Sequence, residues 1–282
     1  MTRLLHIACL QIRPMATMQA AIDEAMPMAE SAVKAGAQML FLPEYCGGLA
    51  SDGQRFIPPS EPEKLHPVLA AFQDFAARHS VWISLGSIAV DGPDGKLINR
   101  GFMIAPDGAV NGRYDKIHLF DVDLGQGATY RESDTVAPGA LAVLHETEFG
   151  KVGHAICYDL RFPGLFRAMA QGGADILCCP AAFTKVTGEA HWHILNRARA
   201  IENTRFMVSA CSVGPVPGGG ECYGHSLVVA PWGEVLADGA TLPGVVHAQL
   251  DLDQVAAAAA RVPSLQHDRD FSVKTVKERK MA

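Results

Sequence analysis

No Cys-x-x-Cys pair occurs in this sequence, although it carries seven cysteines, at positions 9, 46, 157, 178, 179, 211 and 222. The odd count and the missing spacing argue against a disulfide framework and against a thiolate zinc site, and they favour a reducing compartment. No run is long and apolar enough to span a membrane. Residues 1–12 hold one short apolar stretch, broken by His6, with no cleavage pattern behind it, so a cytoplasmic location is expected. Positive charge is not in excess: 24 Lys and Arg stand against 30 Asp and Glu, a formal charge of −6. Nothing electrostatic invites a nucleic-acid partner. The glycine run 218–220 lacks the lysine–serine ending of a phosphate-binding loop. There is no dividing linker and no internal repeat. A single domain over 1–282 is expected, its last 20 or so residues forming a charged tail or a dimer-contacting arm.

What is present is ordinary for a globular chain: 282 residues, 49% hydrophobic and 19% charged, enough to bury a sizeable core. Apolar periodicity predicts strands over 4–11, 38–42, 81–90, 98–105, 141–148, 152–157, 174–179, 205–212, 223–230, 234–237 and 245–250. It predicts helices over 20–34, 66–79 and 190–203, and another opening at Pro163, a favoured first-turn residue. The turn at 91–95 joins two of the strands as an antiparallel hairpin. Residues 117–139, interrupted by Gly125 and Gly127, show no clean period; a loop of that length is usually functional or disordered. The mixture implies sheets packed on each other with helices outside.

Three apolar strands each run into a reactive side chain. Phe41-Leu42-Pro43-Glu44 delivers a carboxylate, Arg113-Tyr114-Asp115-Lys116 an ammonium, and His154-Ala155-Ile156-Cys157 a thiol. A buried free cysteine is ordinarily an inert small hydrophobe, and Cys9, Cys178, Cys179 and Cys211 are read that way. Cys46, two residues past Glu44, is read as a bystander near the pocket. His191 and His193 suggest a metal pair, but residues two apart on a helix do not face each other; a solvated face is the better reading. His154 is expected to be structural, and Asp159 and Arg161 to shape the turn behind Cys157 through a salt bridge.

These segments resemble the three catalytic motifs of the nitrilase superfamily of carbon–nitrogen hydrolases. The resemblance covers nearly the whole chain. It includes Lys116-Ile117-His118-Leu119-Phe120-Asp121, the run from Cys157 to Pro163, Pro180-Ala181-Ala182-Phe183-Thr184, Arg197-Ala198-Arg199-Ala200-Ile201-Glu202-Asn203 and Tyr223-Gly224-His225-Ser226. It implies an α/β fold, a four-layer α-β-β-α sandwich that pairs through helices into a homodimer or higher homo-oligomer. It makes Cys157 the nucleophile, Glu44 the general acid/base and Lys116 the oxyanion stabiliser. Glu132, in Tyr130-Arg131-Glu132-Ser133, becomes a second glutamate that orients Lys116 and substrate, and the long loop becomes an active-site wall.

The chemistry suits those residue types. An amide is a poor electrophile, and a thiol nucleophile splits its hydrolysis into acylation and deacylation. A nearby cation lowers a thiol pKa while carboxylates raise it. Glu44 can carry the proton from sulfur to the departing nitrogen and then activate water. The Tyr158 N–H and Lys116 would hold the oxyanion. No metal or other cofactor is required. The wording around Lys116 and Glu132 looks most like the amidase branch, which includes omega-amidases and deaminated-glutathione amidases and cleaves the distal amide of a 2-oxoglutaramate-like acyl group. Phe183, Thr184, Thr187 and Arg161 are the expected substrate contacts. Gly164, His193 and Asn196 depart from that branch's pattern, which touches specificity and helix packing but not the triad. An N-carbamoyl amino-acid hydrolase or a nitrilase with the same triad is the alternative, and a non-catalytic interaction module on the same fold is the second.

Overall fold

The computed structural model describes residues 3–52, 55–123 and 129–276. Gly125, Gly127, the first two residues and the end of the expected tail lie outside them. Among the described residues, two large sheets form the core. β1 (Leu4–Gln11), β2 (Met39–Phe41), β3 (Trp82–Asp91), β4 (Leu97–Ile104) and β5 (Val110–Asp115) belong to the first. β6 (Val143–Thr147), β7 (Gly150–His154), β8 (Ile176–Cys178), β9 (Phe206–Ser209), β10 (Leu227–Val229) and β11 (Val235–Asp238) form the second, and β12 (Gly244–Asp251) returns to the first. The orders are β12-β1-β2-β3-β4-β5 and β6-β7-β8-β9-β10-β11, with Ser60–Glu61 added alongside β3. β1, β2 and β3 run parallel, as do β7, β8 and β9, and β3 and β4 form the expected antiparallel hairpin.

The period-2 alternation of strand side chains sets the layers. Leu5, Ile7 and Cys9 on β1 pack with Ile176, Cys178, Phe206 and Val208 of the second sheet. The intervening Ala8 and Leu10 face the other way, with Ala25, Ala29, Phe72 and Phe75 of α1 (Met18–Lys34) and α2 (Pro67–His79). On the far side, Leu177, Met207 and Val229 meet Phe166, Met169 and Trp192 of α3 (Pro163–Gln171) and α4 (Lys185–Asn203). The result is the α-β-β-α sandwich. Central strands covered on both faces read as unbroken apolar runs, which is why their periodicity is weak in the sequence.

Helix starts follow local chemistry. Thr17 caps α1, its hydroxyl accepting the Ala20 N–H at 3.3 Å, and proline opens α2 and α3, where its missing N–H costs no intrahelical bond. Three departures from expectation have a local reason. α4 begins at Lys185, because Gly188 lets its first turn lie against the Tyr223 ring, where any Cβ would collide. The strand expected over 223–230 breaks at Gly224, whose φ of +76° is left-handed. α5 (Asp253–Arg261) has no counterpart among the expected helices. Its run of alanines carries little hydrophobic contrast although alanine is the best helix former.

Candidate active site

The three reactive side chains do not sit on strands. β2 ends at Phe41 and β7 at His154, three residues short of Glu44 and Cys157, and Lys116 follows β5 directly. Two sharp turns supply the missing reach. In the first, Tyr45 adopts φ +51° and is pinned by its N–H on the Ser87 hydroxyl at 3.0 Å. Gly86 makes room for it, since a Cβ there would strike the carbonyls of Leu42 and Pro43. In the second, Cys157 itself takes φ +49°, an uncommon conformation for a residue with a Cβ. Its N–H reaches the Pro180 carbonyl at 2.9 Å, and it opens a 3-10 helix over Cys157–Arg161.

Asp159 holds that second turn. It is fully buried and accepts from the Ile156 N–H (2.9 Å), the Tyr114 hydroxyl (2.7 Å) and the His118 N–H (3.0 Å), with His118 Nδ1 at 2.7 Å. The expected Asp159–Arg161 salt bridge is not the arrangement found. Arg161 points outward, its guanidinium 5.6 Å from the Phe183 ring centroid and 5.8 Å from that of Tyr158, donating to His191 Nδ1 at 3.4 Å. Residues two apart on such a turn point in different directions, so a buried acid and a half-exposed base do not meet. His154 is structural, as expected: it bridges the sheets between His145 (3.3 Å) and the Gly86 carbonyl (3.2 Å).

Lys116 is 2% exposed and lies between two carboxylates. Its ammonium donates to Glu44 Oε1 at 2.8 Å and to Glu132 at 2.9 and 3.1 Å. Glu44 also accepts from Asn99 Nδ2 and from the Ala182 N–H, each at 2.9 Å. Glu132 accepts further from the Phe120 N–H (2.6 Å), the Tyr45 hydroxyl (3.2 Å) and Asn99 (3.3 Å). Every oxygen of the two buried carboxylates is therefore matched by donors, the condition under which buried charge is tolerated. Burial alone would lower the Lys116 pKa, but Glu132 and Glu44 outweigh it and hold it well above the usual lysine value. The Cys157 thiol is raised well above its ordinary value, first by burial and then by the Glu44 charge, against the opposing pull of Lys116.

These groups line one cleft with Tyr45, Phe120, Tyr158, Phe183, Thr184 and Thr187. The fold thus brings Glu44, Lys116, Glu132 and Cys157 together with Tyr158 and with the expected substrate contacts Phe183, Thr184 and Thr187. Arg161 is the exception, standing behind the wall that Phe183 and Tyr158 form. Asn99, Tyr45 and the Phe120 N–H were not singled out by sequence. They act through tertiary hydrogen bonds and carry no local signal. Cys46 lies off the cleft, its thiol donating to the Ser87 carbonyl at 3.3 Å and pushed up to about 12 by burial. Asn196 is not at the site either; it ties α4 to β9, accepting from Ser209 Oγ at 2.5 Å. Gly164 lies in the first turn of α3 with nothing near it.

Residues 6–260 match the family described as carbon-nitrogen hydrolase. The chain is 37% identical over 268 residues to the deaminated glutathione amidase of Synechocystis sp., covering 92% of this chain and 96% of that one. It superimposes on the NitFhit protein of C. elegans with a TM-score of 0.85 at 31% identity, over 95% of this chain and 66% of that longer one. With Nit3 of Saccharomyces cerevisiae, a branch 10 nitrilase-superfamily member, the TM-score is 0.81 at 26% identity, covering 92% and 94%. Sequence, fold and the paired-carboxylate cleft agree: this chain belongs to the carbon–nitrogen hydrolase family and is an amidase enzyme of the nitrilase superfamily.

Proposed function

We propose that the chain hydrolyses the distal amide of a small anionic substrate with a 2-oxoglutaramate-like acyl group through a Cys157 thioester. The observation that carries this reading is the convergence of Cys157, Glu44 and Lys116, with Lys116 clamped by Glu132, in one cleft. Because burial and Glu44 keep the thiol protonated at rest, its deprotonation is coupled to attack. Glu44 takes the proton as sulfur bonds to the amide carbon, and the carbonyl electron pair moves onto oxygen. Lys116 and the Tyr158 N–H stabilise that oxyanion; Tyr158 lies in the first turn of its helix, where N–H groups lack an intrahelical acceptor. One such donor is worth roughly 10²–10³ in rate. Glu44 then passes its proton to nitrogen, the C–N bond breaks, and the amine leaves. Water enters, gives a proton to Glu44 and attacks the thioester. Collapse releases the carboxylic acid, and the proton returns to sulfur.

The substrate class rests on two supports. Relatives such as the Synechocystis protein carry the name deaminated glutathione amidase. An adjoining cleft shares Tyr45, Phe56, Phe120 and Glu132 with the first and adds Arg55 and Arg131, cations suited to a carboxylate on an extended substrate. Pairing of chains through α4 fits its exposed Val186, Ile194 and Ile201. The test is ammonia release and product analysis on 2-oxoglutaramate and deaminated glutathione, with Cys157→Ala as control. Cleavage of either by the wild type alone supports chemistry and substrate class together. Cleavage of neither, with activity on N-carbamoyl amino acids or nitriles instead, moves the chain to another branch.

A further inference from the structure

Outside the cleft, beyond the Phe183–Trp192 ring pair that backs it, three side chains from three elements meet. His193 comes from α4, His225 from the loop before β10, and Asp238 from the end of β11. Asp238 stands between the imidazoles, with His193 Nε2 2.9 Å from Oδ2 and His225 Nδ1 2.8 Å from Oδ1. The potential donor atoms of all three lie within 4.8 Å of one another. The mechanism above uses none of them.

Hydrogen bonds and a ring contact tie the frame around them together. His225 occupies a left-handed conformation, φ +52°, uncommon for a residue with a Cβ although histidine adopts it more readily than most. Its carbonyl accepts the indole N–H of Trp192, the neighbour of His193, at 2.8 Å. Its own N–H reaches the Ala240 carbonyl at 2.7 Å, and the Ala240 N–H returns to Asp238 Oδ1 at 2.8 Å. Tyr223 stacks on the His225 ring at 4.5 Å. Each candidate ligand is thereby tied to the backbone beside another.

We propose that His193, His225 and Asp238 form a binding site for one divalent transition cation of the zinc class. Two imidazoles and a carboxylate suit zinc and its neighbours, whereas magnesium and calcium prefer oxygen alone. Donor atoms around a tetrahedral zinc, with bonds of about 2.0–2.1 Å, are spaced by about 3.3 Å. The present donor spacings, all within 4.8 Å, reach that arrangement by rotations of the three side chains, the imidazoles turning toward one carboxylate oxygen as the cation takes the place of the bridging protons. Water completes the fourth position. The bound cation would staple α4 to the edge of the second sheet.

Chelator-stripped full-length chain is titrated with zinc chloride against a chromogenic zinc indicator in excess magnesium. His193→Gln and Asp238→Asn are titrated in parallel, and cobalt(II) is added to each to report ligand type. One zinc per wild-type chain is expected, weakened at least about tenfold in each variant, a loss at or beyond that seen for outer partners of metal ligands. Visible cobalt bands without a thiolate charge-transfer band complete the expectation. Circular dichroism and amide hydrolysis monitor folding. His193 lies on a half-exposed helix face, so His193→Gln decides the matter should Asp238→Asn fail to fold. Equal zinc affinity in wild type and His193→Gln, a thiolate band, or no binding by the wild type would each overturn the proposal.

Discussion

Replacing Glu132 by glutamine keeps its shape and removes one charge from a cluster that contains two carboxylates and one ammonium. The side chain is only 11% exposed, and its two oxygens receive Lys116, the Phe120 N–H, Tyr45 and Asn99. An amide offers one oxygen. Whichever way it turns, its NH₂ faces a donor: either the Phe120 N–H and Lys116, or Tyr45, Asn99 and Lys116. A buried donor left unmatched costs about 1–3 kcal/mol. Removing a partner from a buried ion pair costs about 3–5 kcal/mol when nothing replaces it. Lys116 keeps Glu44 at 2.8 Å, so the lower range applies, and Glu132→Gln is expected to lose about 2 kcal/mol of folding stability. The greater effect falls on turnover. With one carboxylate gone, Lys116 is drawn toward Glu44 and away from the site where the oxyanion forms, and kcat/KM should fall roughly 10²-fold, the scale of a lost oxyanion donor. Urea unfolding and steady-state amide hydrolysis on the same preparation measure both. A reduced urea midpoint with unchanged kcat/KM would reduce Glu132 to a structural residue. No change in either would refute the network itself.

Cys157→Ala should abolish turnover while the far-ultraviolet dichroism and melting profile stay as in the wild type; loss of secondary structure would mean that a core residue had been mistaken for a nucleophile. Among the seven thiols Cys157 is 8% exposed and the rest 3% or less, so a small alkylating probe followed by peptide mapping should label Cys157 first, and uniform labelling would favour a non-catalytic scaffold. Acid should destabilise the sandwich through its buried imidazoles. Burial pushes His154 down to about 3 and His145 to about 4, below the unfolded value near 6.5. The unfolded chain therefore binds protons that the native state refuses, and the stability contributed is whole above pH 6.5 and is lost as pH falls toward the folded values. At pH 5 this amounts to about 2 kcal/mol per histidine, and urea midpoints that stay level between pH 7 and 5 would refute it.

The strands were legible as short apolar runs bounded by turn residues, and β1 was read to the residue. The site was legible because the residues flanking each reactive group are themselves specific. What the sequence concealed has one common cause: contacts that depend on where a side chain points rather than on which residues are adjacent. Spacing places Asp159 beside Arg161, yet the 3-10 turn buries one against Tyr114 and His118 and sends the other over two aromatic rings. Spacing likewise offered His191 as the companion of His193, whereas the fold supplies His225, 32 positions later in the chain. Asn99 bonds to both site carboxylates from within β4, where it reads as one of two adjacent polar residues in an otherwise apolar strand. The same holds for the nucleophile. Apolar residues before Cys157 predict a strand reaching it, but β7 stops at His154 because the chain must turn to put the Cys157 N–H on Pro180 and the thiol beside Glu44. A left-handed cysteine is locally unfavourable, so no local propensity announces it. It is imposed by Asp159 capping the Ile156 N–H from within the turn and by Tyr114 and His118 holding Asp159 from outside. The turn that presents the thiol is thus a property of the assembled sheets, and only the residue types at its tip are a property of the sequence.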